Sequence, residues 1–299
     1  MNLLVIGGTG WLGANIVRRA LDMDHEVLVF HRGESHTDRD PDVPHLHGDT
    51  ISIADHSEEL AEFAPEAVID TTQFRTDTTK SVIATIRKFS KRYVLVSSKD
   101  VYRGYGVLHG TEPGPIQEMP ITEESELRTM PSFDQTESED NIFAERAALE
   151  QTDIPSTIVR APGIFGPGDR QRRIGNVVDA LNESNGHIVR ARNRANFRWG
   201  YGYVDNVSDA LILCATDRRP GNFVYNVGYP TGTSLLELFH MVAKALDWKG
   251  TIEASDKDEA GGINYSQHLY SESPLIRKEL GYSERVPFEE AIRLTIGSG

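Results

Sequence analysis

GGTGWLG, residues 7–13, decides the fold, because it lies between a strand-like apolar run, Asn2–Ile6, and a stretch with helical spacing, Ala14–Met23. In such a turn the first glycine permits the sharp bend, the second lets backbone approach a pyrophosphate, and the third lets the helix pack closely on the strand. The helix N-terminus then offers free N–H groups to the phosphates. A glycine-rich turn can also serve geometry alone, but this context favours dinucleotide binding. The predicted contacts are Gly7, Thr9, Gly10, Trp11, Leu12 and Gly13.

The residues after the second predicted strand, Glu26–Phe30, select between cofactors. An acidic residue there would accept the ribose hydroxyls of NAD, but Arg32 stands at that position, about 20 residues beyond the glycine turn. A guanidinium pairs with the 2′-phosphate of NADP, so NADP is expected, with NAD less favoured and a solvated loop arginine as the other alternative. His31, the residue before Arg32, is likewise predicted to contact the cofactor. Asp49 is a candidate acceptor for the adenine amino group, or a plain turn aspartate.

Strand-like runs alternate with helical patterns along the first half of the chain, which predicts right-handed βαβ units. The expected fold class is α/β, a Rossmann-type doubly wound parallel sheet with a smaller C-terminal substrate lobe. The NAD(P)-binding domain is expected at 1–165 plus about 197–229, and the substrate-binding lobe at about 166–196 plus 230–299. Gly202–Val207 and Phe223–Val227 are expected to rejoin the first lobe as strand segments, and Val101–Ser138 is expected to form a substrate-side flap.

The remaining elements are predicted from the same periodicities. Strands are expected at Ala67–Asp70, Tyr93–Ser98 and Ser156–Arg160, and helices at Ala54–Phe63, Thr78–Ser90, Glu139–Glu150, Ile174–Asn182, Ser234–Leu246 and Phe288–Leu294.

Composition excludes several classes of function. The 299 residues include 31 Lys and Arg against 45 Asp and Glu, a formal charge of −14. Such a surface repels phosphate backbones and anionic lipid, so neither nucleic acid nor a membrane is expected as a partner. The single cysteine, Cys214, forms no internal disulfide, and the histidines lack metal-ligand spacing, so no metal is expected. The chain has no transmembrane run and no signal peptide before its first strand, which makes a cytoplasmic location the expectation.

Five motifs in order give the chain its resemblance to the extended short-chain dehydrogenase/reductases, the NAD(P)-dependent epimerase/dehydratase family. They are the glycine turn, YVLVSSKDVY at 93–102, RAPGIFGPG at 160–168, YVDNV at 203–207 and YNVG at 225–228. The resemblance runs nearly end to end and implies an NAD(P) cofactor and a small-molecule substrate. It also implies cofactor contact at Pro162 and a homodimer through the helices at Thr78–Ser90 and Glu139–Glu150.

The catalytic residues of this family are matched only in part. The family carries a Ser or Thr, and a Tyr with a Lys four residues later; the Tyr exchanges a proton with the substrate, and the Lys lowers the Tyr pKa and holds the nicotinamide ribose. Ser98 matches the hydroxyl position. Aligning the helix that ends in AALE places Ile142 at the Tyr position and Arg146 at the Lys position, and no tyrosine of the chain has a lysine four residues later. The dyad is absent, although Arg146 is expected to bind the ribose.

Three explanations of this departure compete. In the first, Lys99 and Asp100, at positions that carry an acid and a base in dehydratases of the family, act as ammonium donor and carboxylate base, with Tyr102 and Tyr105 as further candidates. In the second, the pocket runs a non-redox elimination, cyclisation or isomerisation. In the third, the chain senses NADP(H) without chemistry. The alternatives without catalysis are a solvated Lys99–Asp100 pair, Tyr102 as a packing residue, and Asp140, Asn141 and Glu145 as the exposed face of their helix.

The substrate side carries two groups of arginines, which suggest an anionic ligand or, equally, salt bridges between the lobes. They are Arg170, Arg172 and Arg173, then Arg190, Arg192, Arg194 and Arg198. In nucleotide-sugar members of the family, basic residues of this region hold the diphosphate. The function predicted from the sequence is an NADP-binding short-chain dehydrogenase/reductase-like enzyme that acts on a carbonyl or hydroxyl of a small molecule, with Ser98 orienting it.

Overall fold

The computed structural model describes residues 1–33, 42–72, 75–131 and 140–297. The strands are β1 Asn2–Ile6, β2 Glu26–His31, β3 His45–His47, β4 Ala67–Asp70, β5 Arg92–Ser98, β6 Ser156–Ala161, β7 Gly163–Phe165, β8 His187–Arg190, β9 Arg198–Trp199, β10 Tyr201–Tyr203, β11 Phe223–Asn226, β12 Thr233–Ser234 and β13 Thr251–Ala254. The α-helices are α1 Trp11–Asp22, α2 Ser57–Phe63, α3 Thr76–Ile86, α4 Arg103–His109, α5 Asn141–Glu150, α6 Gly175–Glu183, α7 Arg192–Asn196, α8 Val204–Thr216, α9 Leu235–Ala245, α10 Pro274–Leu280 and α11 Phe288–Ile296.

Seven parallel strands form the central sheet in the order β3-β2-β1-β4-β5-β6-β11. The chain runs outward from β1 to β3, returns to the other side of β1 as β4, and continues outward to β11. This order confirms the predicted doubly wound sheet. Its direction reverses between β1 and β4, and the carboxyl ends of strands at such a reversal border a crevice where ligands bind.

The sheet is buried on both faces, and alternate residues of β1 divide between the two sides. Leu3 and Val5 pack in one cluster with residues of α1 and α8, and Leu4 and Ile6 pack in another with residues of α2 and α3. All four side chains are 1% exposed or less. Burying an aliphatic side chain contributes about 1.5–3 kcal/mol, so these two clusters fix the layer order and aim the ends of β1, β4 and β5 at one edge.

The motif at residues 203–207 continues as a helix and not as a strand. β10 pairs with β7 outside the central sheet, and from Val204 the chain forms α8, which packs under β4, β5 and β6. The helix is buried around most of its circumference, so its sequence lacks the polar face by which a surface helix is recognised. The other expected segment, at Phe223–Val227, joins the sheet as β11, as predicted.

The stretch expected to be a flap is packed over its described part, 101–131, while 132–138 lie outside the described residues. It contains α4, which sequence reasoning missed because two glycines, Gly104 and Gly106, interrupt the helical pattern. The carboxylate of Glu112, 7% exposed, accepts hydrogen bonds from the amides of Thr129 and Met130 at 2.5 and 2.8 Å. A separate apolar cluster, around Phe165 and Phe239, forms the core of the late segments. The proposed two-lobe boundaries stay a prediction.

Candidate functional site

The glycine turn has the geometry that a close approach of backbone requires. Gly7 has φ +79°, a conformation that L side chains rarely adopt. A Cβ added at Gly13 would lie 2.1 Å from the carbonyl oxygen of Gly7, so only glycine allows α1 to pack this closely on the turn. Gly10 is the N-cap of α1, and within the described residues no side chain caps it. The amides of the first turn of α1 are therefore left for an anion.

A cavity of about 710 Å³ opens in front of this turn, at the point where the strand order reverses. Gly7, Thr9 and Gly10 line one wall, and the ends of β2 and β4 line the others. Six of the predicted cofactor residues border it: Gly7, Thr9, Gly10, His31, Arg32 and Asp49. Sequence reasoning missed Thr71, Thr72 and Arg75, which follow β4 and also border the cavity. The position of β4 beside β1 was the available signal, since loops after both strands meet at the crevice.

Two of the predicted cofactor residues, His31 and Asp49, have local partners. His31 is 6% exposed, its Nδ1 accepts from the amide of Gly33 at 3.1 Å, and its Nε2 lies 3.1 Å from Nδ1 of His45. The carboxylate of Asp49 accepts from the amide of Ile51 at 3.0 Å and so caps the 3₁₀ helix at Thr50–His56. Asp49 therefore fills the turn role that the sequence allowed, at the edge of the cavity. Arg32 is exposed at the mouth of the cavity.

Trp11 and Leu12 point away from this cavity. The indole Nε1 of Trp11 donates to the carbonyl of Pro167 at 2.8 Å, which ties the turn to the loop after β7. The indole also lines a second cavity, of about 940 Å³, along the outer face of α1. Leu12 packs between the core clusters. At the first cavity, therefore, the amides of these two residues and not their side chains are the candidate cofactor contacts.

Ser98 and Asp100 form a polar pair at the carboxyl end of β5. The Oγ of Ser98, opposite Ala161 of β6, accepts from the amide of Asp100 at 3.3 Å. The half-buried carboxyl of Asp100 accepts from Nδ2 of Asn141 at 3.2 Å. Burial raises the pKa of Asp100 above its usual value, against smaller opposing effects of hydrogen bonds from Asn141 and Ser98. A carboxyl with a raised pKa beside a hydroxyl is a typical proton-exchanging group.

Lys99 is buried, and its placement corrects both sequence-based interpretations, the solvated pair and the proton donor. Its amino group donates to the carbonyls of Gly200 at 2.7 Å and Leu269 at 3.2 Å. It also lies 3.7 Å from the centre of the Trp199 ring. Burial lowers the pKa of Lys99 well below its usual value. These contacts join the end of β5 to the late segments.

Tyr102 belongs to the core and not to a cleft, which corrects its place among the catalytic candidates. Its side chain is fully buried; the hydroxyl donates to Oδ1 of Asn226 at 2.7 Å and accepts from Arg160 at 3.0 Å. Burial raises the pKa of Tyr102 to about 12. Arg160 is also paired with Glu145 at 2.7 Å, and Glu145 accepts from Ser97 at 2.5 Å. Tyr102 is therefore one member of a buried polar network between β5, β6 and α5.

The face of α5 that was expected to be exposed is buried. Asp140, Asn141 and Glu145 are 0%, 3% and 2% exposed. Asp140 forms a two-pronged ion pair with Arg128, both distances being 3.0 Å, and both side chains are fully buried. The periodicity of polar residues predicted the helix correctly but gave its orientation wrongly, because these polar groups are paired inside the protein.

The two residues aligned with the family's dyad lie in different surroundings. Ile142 is 6% exposed and packs against Val101, Leu108 and Leu269. Arg146 is exposed, with its guanidinium 5.5 Å from the Phe143 ring, and it borders neither of the two cavities described above. Pro162 is buried, in close contact with Gly202 and Gly228.

Most of the arginines expected to bind an anion are engaged within the chain. The pairs are Arg172–Asp179, Arg173–Asp169, Arg192–Asp258, Arg194–Glu259 and Arg198–Glu237. Arg190 lies 4.7 Å over the Phe239 ring, and Arg170 borders the second cavity. These arginines are therefore paired with carboxylates of the chain, but only Arg198–Glu237 joins the two predicted lobes, and the other four pairs lie within the predicted substrate lobe.

The described residues add two negative findings. Within 1–33, 42–72, 75–131 and 140–297, no three His, Cys, Asp or Glu side chains are arranged to hold a metal ion. No helix in these ranges combines the length and the apolar character needed to cross a bilayer.

Comparison with known proteins identifies similar families. The family model described as NAD dependent epimerase/dehydratase family matches residues 3–228. A 3 beta-hydroxysteroid dehydrogenase/Delta 5→4-isomerase of Mycobacterium tuberculosis is 28% identical over 244 residues, 73% of this chain and 61% of that protein. A decarboxylating sterol-4-alpha-carboxylate 3-dehydrogenase of Saccharomyces cerevisiae is 25% identical over 238 residues, 72% of this chain and 64% of that protein. The chain thus spans less than two thirds of the length of these relatives.

Solved structures show the same fold at lower sequence identity. The UDP-glucose 4-epimerase of Thermotoga maritima with UDP-glucose has a TM-score of 0.75 and 16% identity, covering 100% of this chain and 98% of that chain. The UDP-glucose 4-epimerase of Thermus thermophilus in complex with NAD has a TM-score of 0.71 and 21% identity, with the same coverage. These likenesses extend over the whole chain, including the late segments that the family model does not reach.

Proposed function

Since the chain belongs to the NAD dependent epimerase/dehydratase family, we propose that it is an enzyme that binds a nicotinamide dinucleotide and acts on a carbonyl or hydroxyl group of a small molecule. The observation that carries the proposal is the uncapped first turn of α1, which opens on the cavity at the reversal of the strand order. The dehydrogenases among the relatives support chemistry at a hydroxyl carbon.

The residues around the cavity fit such a cofactor. The amides of the glycine turn would hold the diphosphate, since a helix N-terminus favours anions and no side chain of the described residues competes there. Asp49 and Ile51 border the end of the cavity suited to adenine. When bound, the cofactor supplies hydride transfer.

NADP is the proposed form, with NAD as the alternative. Arg32 borders the cavity beside His31, and a guanidinium there would pair with a 2′-phosphate. Similar solved structures contain NAD, which supports the class of cofactor without favouring the phosphorylated form.

Ser98 and Asp100 are the proposed catalytic residues. The Ser98 hydroxyl would orient the substrate oxygen, and Asp100 would take the hydroxyl proton during oxidation and return it during reduction. Its raised pKa makes the Asp100 carboxylate a stronger base than an ordinary aspartate, which favours transfer of the hydroxyl proton to it. Ile142 exchanges no proton, and Arg146 is retained only as a candidate for the ribose.

A non-catalytic NADP(H) sensor is the second candidate. It is favoured by one observation: the residue at the family's Tyr position, Ile142, is buried in an apolar cluster. A homodimer through α3 and α5 also stays a prediction, and light scattering tests it.

Calorimetry and absorbance together separate these candidates. Titration with NADP(H) and NAD(H) tests the cofactor, and incubation of the protein with NADPH and a library of carbonyl compounds tests redox chemistry by the loss of nicotinamide absorbance. Turnover that falls at least 100-fold in Ser98→Ala and Asp100→Asn supports the enzyme, on the scale usual for groups that transfer protons. Tight binding without turnover favours the sensor, product at constant absorbance favours a non-redox reaction, and no binding of either dinucleotide refutes the proposal.

A further inference from the structure

Asn141 contacts the carboxyl of Asp100 from a position that is itself rigidly held. It is the first residue of α5, and its Nδ2 lies 3.2 Å from Oδ1 of Asp100. The preceding residue, Asp140, caps the helix by accepting from the amide of Ile142 at 3.0 Å, while its buried carboxylate is paired with Arg128. The start of α5 is thus fixed by a cap and an ion pair, and the Asn141 amide has little freedom other than rotation about its own side-chain bonds.

The backbone of Asp100 is fixed from the opposite side. The Nε of Arg128 donates to the carbonyl of Asp100 at 2.5 Å, and the amide of Arg128 donates to the carbonyl of Val101 at 2.8 Å. Arg128 therefore bridges the start of α5 and the turn that carries Asp100. The Arg128 guanidinium thus holds both Asp140, the residue before Asn141, and the backbone of Asp100. The distance between Asn141 and the Asp100 carboxyl is therefore set by the fold.

The second polar atom of Asn141 lacks a partner in the arrangement described. Its Oδ1 is buried, and within the described part of the chain no hydrogen-bond donor reaches it. An orphaned buried acceptor of this kind is costly, and such groups are rare enough in folded proteins that each calls for an explanation. A side-chain amide has an acceptor at one end and two donors at the other, so a half-turn of the amide exchanges the two.

The acceptor end and the donor end of the Asn141 amide match the protonated and the ionised state of a carboxyl group. The contact of Nδ2 with Oδ1 of Asp100 suits an ionised carboxyl, which only accepts. A protonated Asp100 also donates and is satisfied by Oδ1 of Asn141 after the half-turn. The charged groups nearby are Arg128 and Asp140, which neutralise each other, and Lys99, which bonds to the carbonyls of Gly200 and Leu269. None of the three offers Asp100 a partner that serves both states. The Ser98 hydroxyl, which accepts from the Asp100 amide, is the other polar neighbour and is proposed above to orient the substrate.

We propose that Asn141 is a positioning residue that holds the Asp100 carboxyl in one place through both of its protonation states by reversing its amide. The assignment of Asp100 as the group that exchanges the proton rests on the function proposed above. The role of Asn141 is a property of the protein without cofactor or substrate.

The test is a titration of the Asp100 carboxyl, followed by infrared difference spectroscopy in the cofactor-free protein. The band that Asp100→Asn removes identifies the group. Asn141→Ala should raise the midpoint of that band by up to roughly one pH unit, because the hydrogen bond lost from the ionised form is charge-assisted and therefore stronger than the one lost from the protonated form. Asn141→Asp keeps the shape of the side chain and should raise it further, because two carboxyls then share the site.

Asn206→Ala is the matched control. Asn206 is 1% exposed and lies on α8, and its side chain bonds to the carbonyl and the amide of Val286. Its replacement therefore also removes a buried, hydrogen-bonded asparagine from a helix, but not one that contacts Asp100. The Asp100 midpoint should not move in this variant. An unmoved midpoint in Asn141→Asp, or the absence of any Asp100 band that titrates in the parent protein, would overturn the proposal. Neither outcome depends on turnover, so failure of this proposal is distinguishable from failure of the proposed function.

Discussion

Arg32 is the residue on which the choice between the two dinucleotides rests. It borders the cavity in an exposed position, where a 2′-phosphate would exchange water for a guanidinium. Exposed charge pairs are worth little singly, but a phosphate accepts two parallel hydrogen bonds from one arginine.

We therefore expect Arg32→Asp to weaken NADP binding at least 10-fold and to reverse the preference toward NAD, because a carboxylate repels the phosphate and accepts from the ribose hydroxyls. Calorimetry with both dinucleotides measures this. Arg293→Asp, the same change in charge at an exposed position of α11, is the control and should alter neither affinity. A preference unchanged by Arg32→Asp removes Arg32 from the cofactor site.

Ile142 tests whether the missing tyrosine can be restored. Its side chain fills space against Val101, Leu108 and Leu269, so Ile142→Tyr should overpack the cluster and lower the free energy of unfolding by about 1–3 kcal/mol. Urea unfolding measures the loss, and we expect no gain of turnover. A stable variant with increased activity would show that the phenol reaches the substrate.

The burial of Lys99 predicts how the stability of the folded chain changes with pH. Its pKa in the folded chain lies below the value in the unfolded chain, so the unfolded state binds more protons between the two values. By linkage, stability then rises with pH through that window and is lost again as the pH falls. Lys99→Met should remove this dependence, so that the stability of the parent protein relative to the variant increases from neutral pH to about pH 10 in urea unfolding. A constant difference over this range would contradict the burial of the amino group.

At the scale of elements, β1, the glycine turn and α1 pack as one unit. This packing is possible because Gly13 has no side chain. The Cβ of Gly13→Ala would lie 2.1 Å from the Gly7 carbonyl, so α1 must move away from the turn. We expect the loss of dinucleotide binding and a decrease in the midpoint of thermal unfolding, measured by calorimetry. Gly261→Ala, where the added Cβ meets nothing within 4 Å, should change neither.

Helices and strands with a clear hydrophobic pattern were predictable from the sequence. Those whose sequence lacks such a pattern, because tertiary contacts stabilise them, were not. The bounds of β1 and β4 were predicted without error, since continuous apolar runs between turn residues leave little choice. α8 was missed because it is buried on most sides, and α4 because of its glycines. At the site, the residues of the glycine turn followed from spacing. The burial of Lys99 and Asn141 did not, because their partners, Gly200 and Asp100, are distant in sequence and no local pattern records them.

At the scale of the whole molecule, the cofactor site is formed by segments from opposite sides of the sheet's reversal point. A ligand that binds only the folded chain stabilises it by mass action, by about 2.7 kcal/mol at 100 times its dissociation constant. Dinucleotide should therefore raise the unfolding midpoint of the parent protein and of Ser98→Ala equally, because Ser98 is proposed to contact the substrate. A smaller rise in Ser98→Ala, seen in differential scanning calorimetry, would assign Ser98 to cofactor binding instead.

The hydrogen bond between the Trp11 indole and the Pro167 carbonyl spans the glycine turn and the loop after β7. An indole in that place is a built-in fluorophore, and its emission overlaps the absorption of a reduced nicotinamide. With the other two tryptophans, Trp199 and Trp248, replaced by phenylalanine, the quenching of this one emitter would follow ligand arrival and departure in real time, without any attached dye.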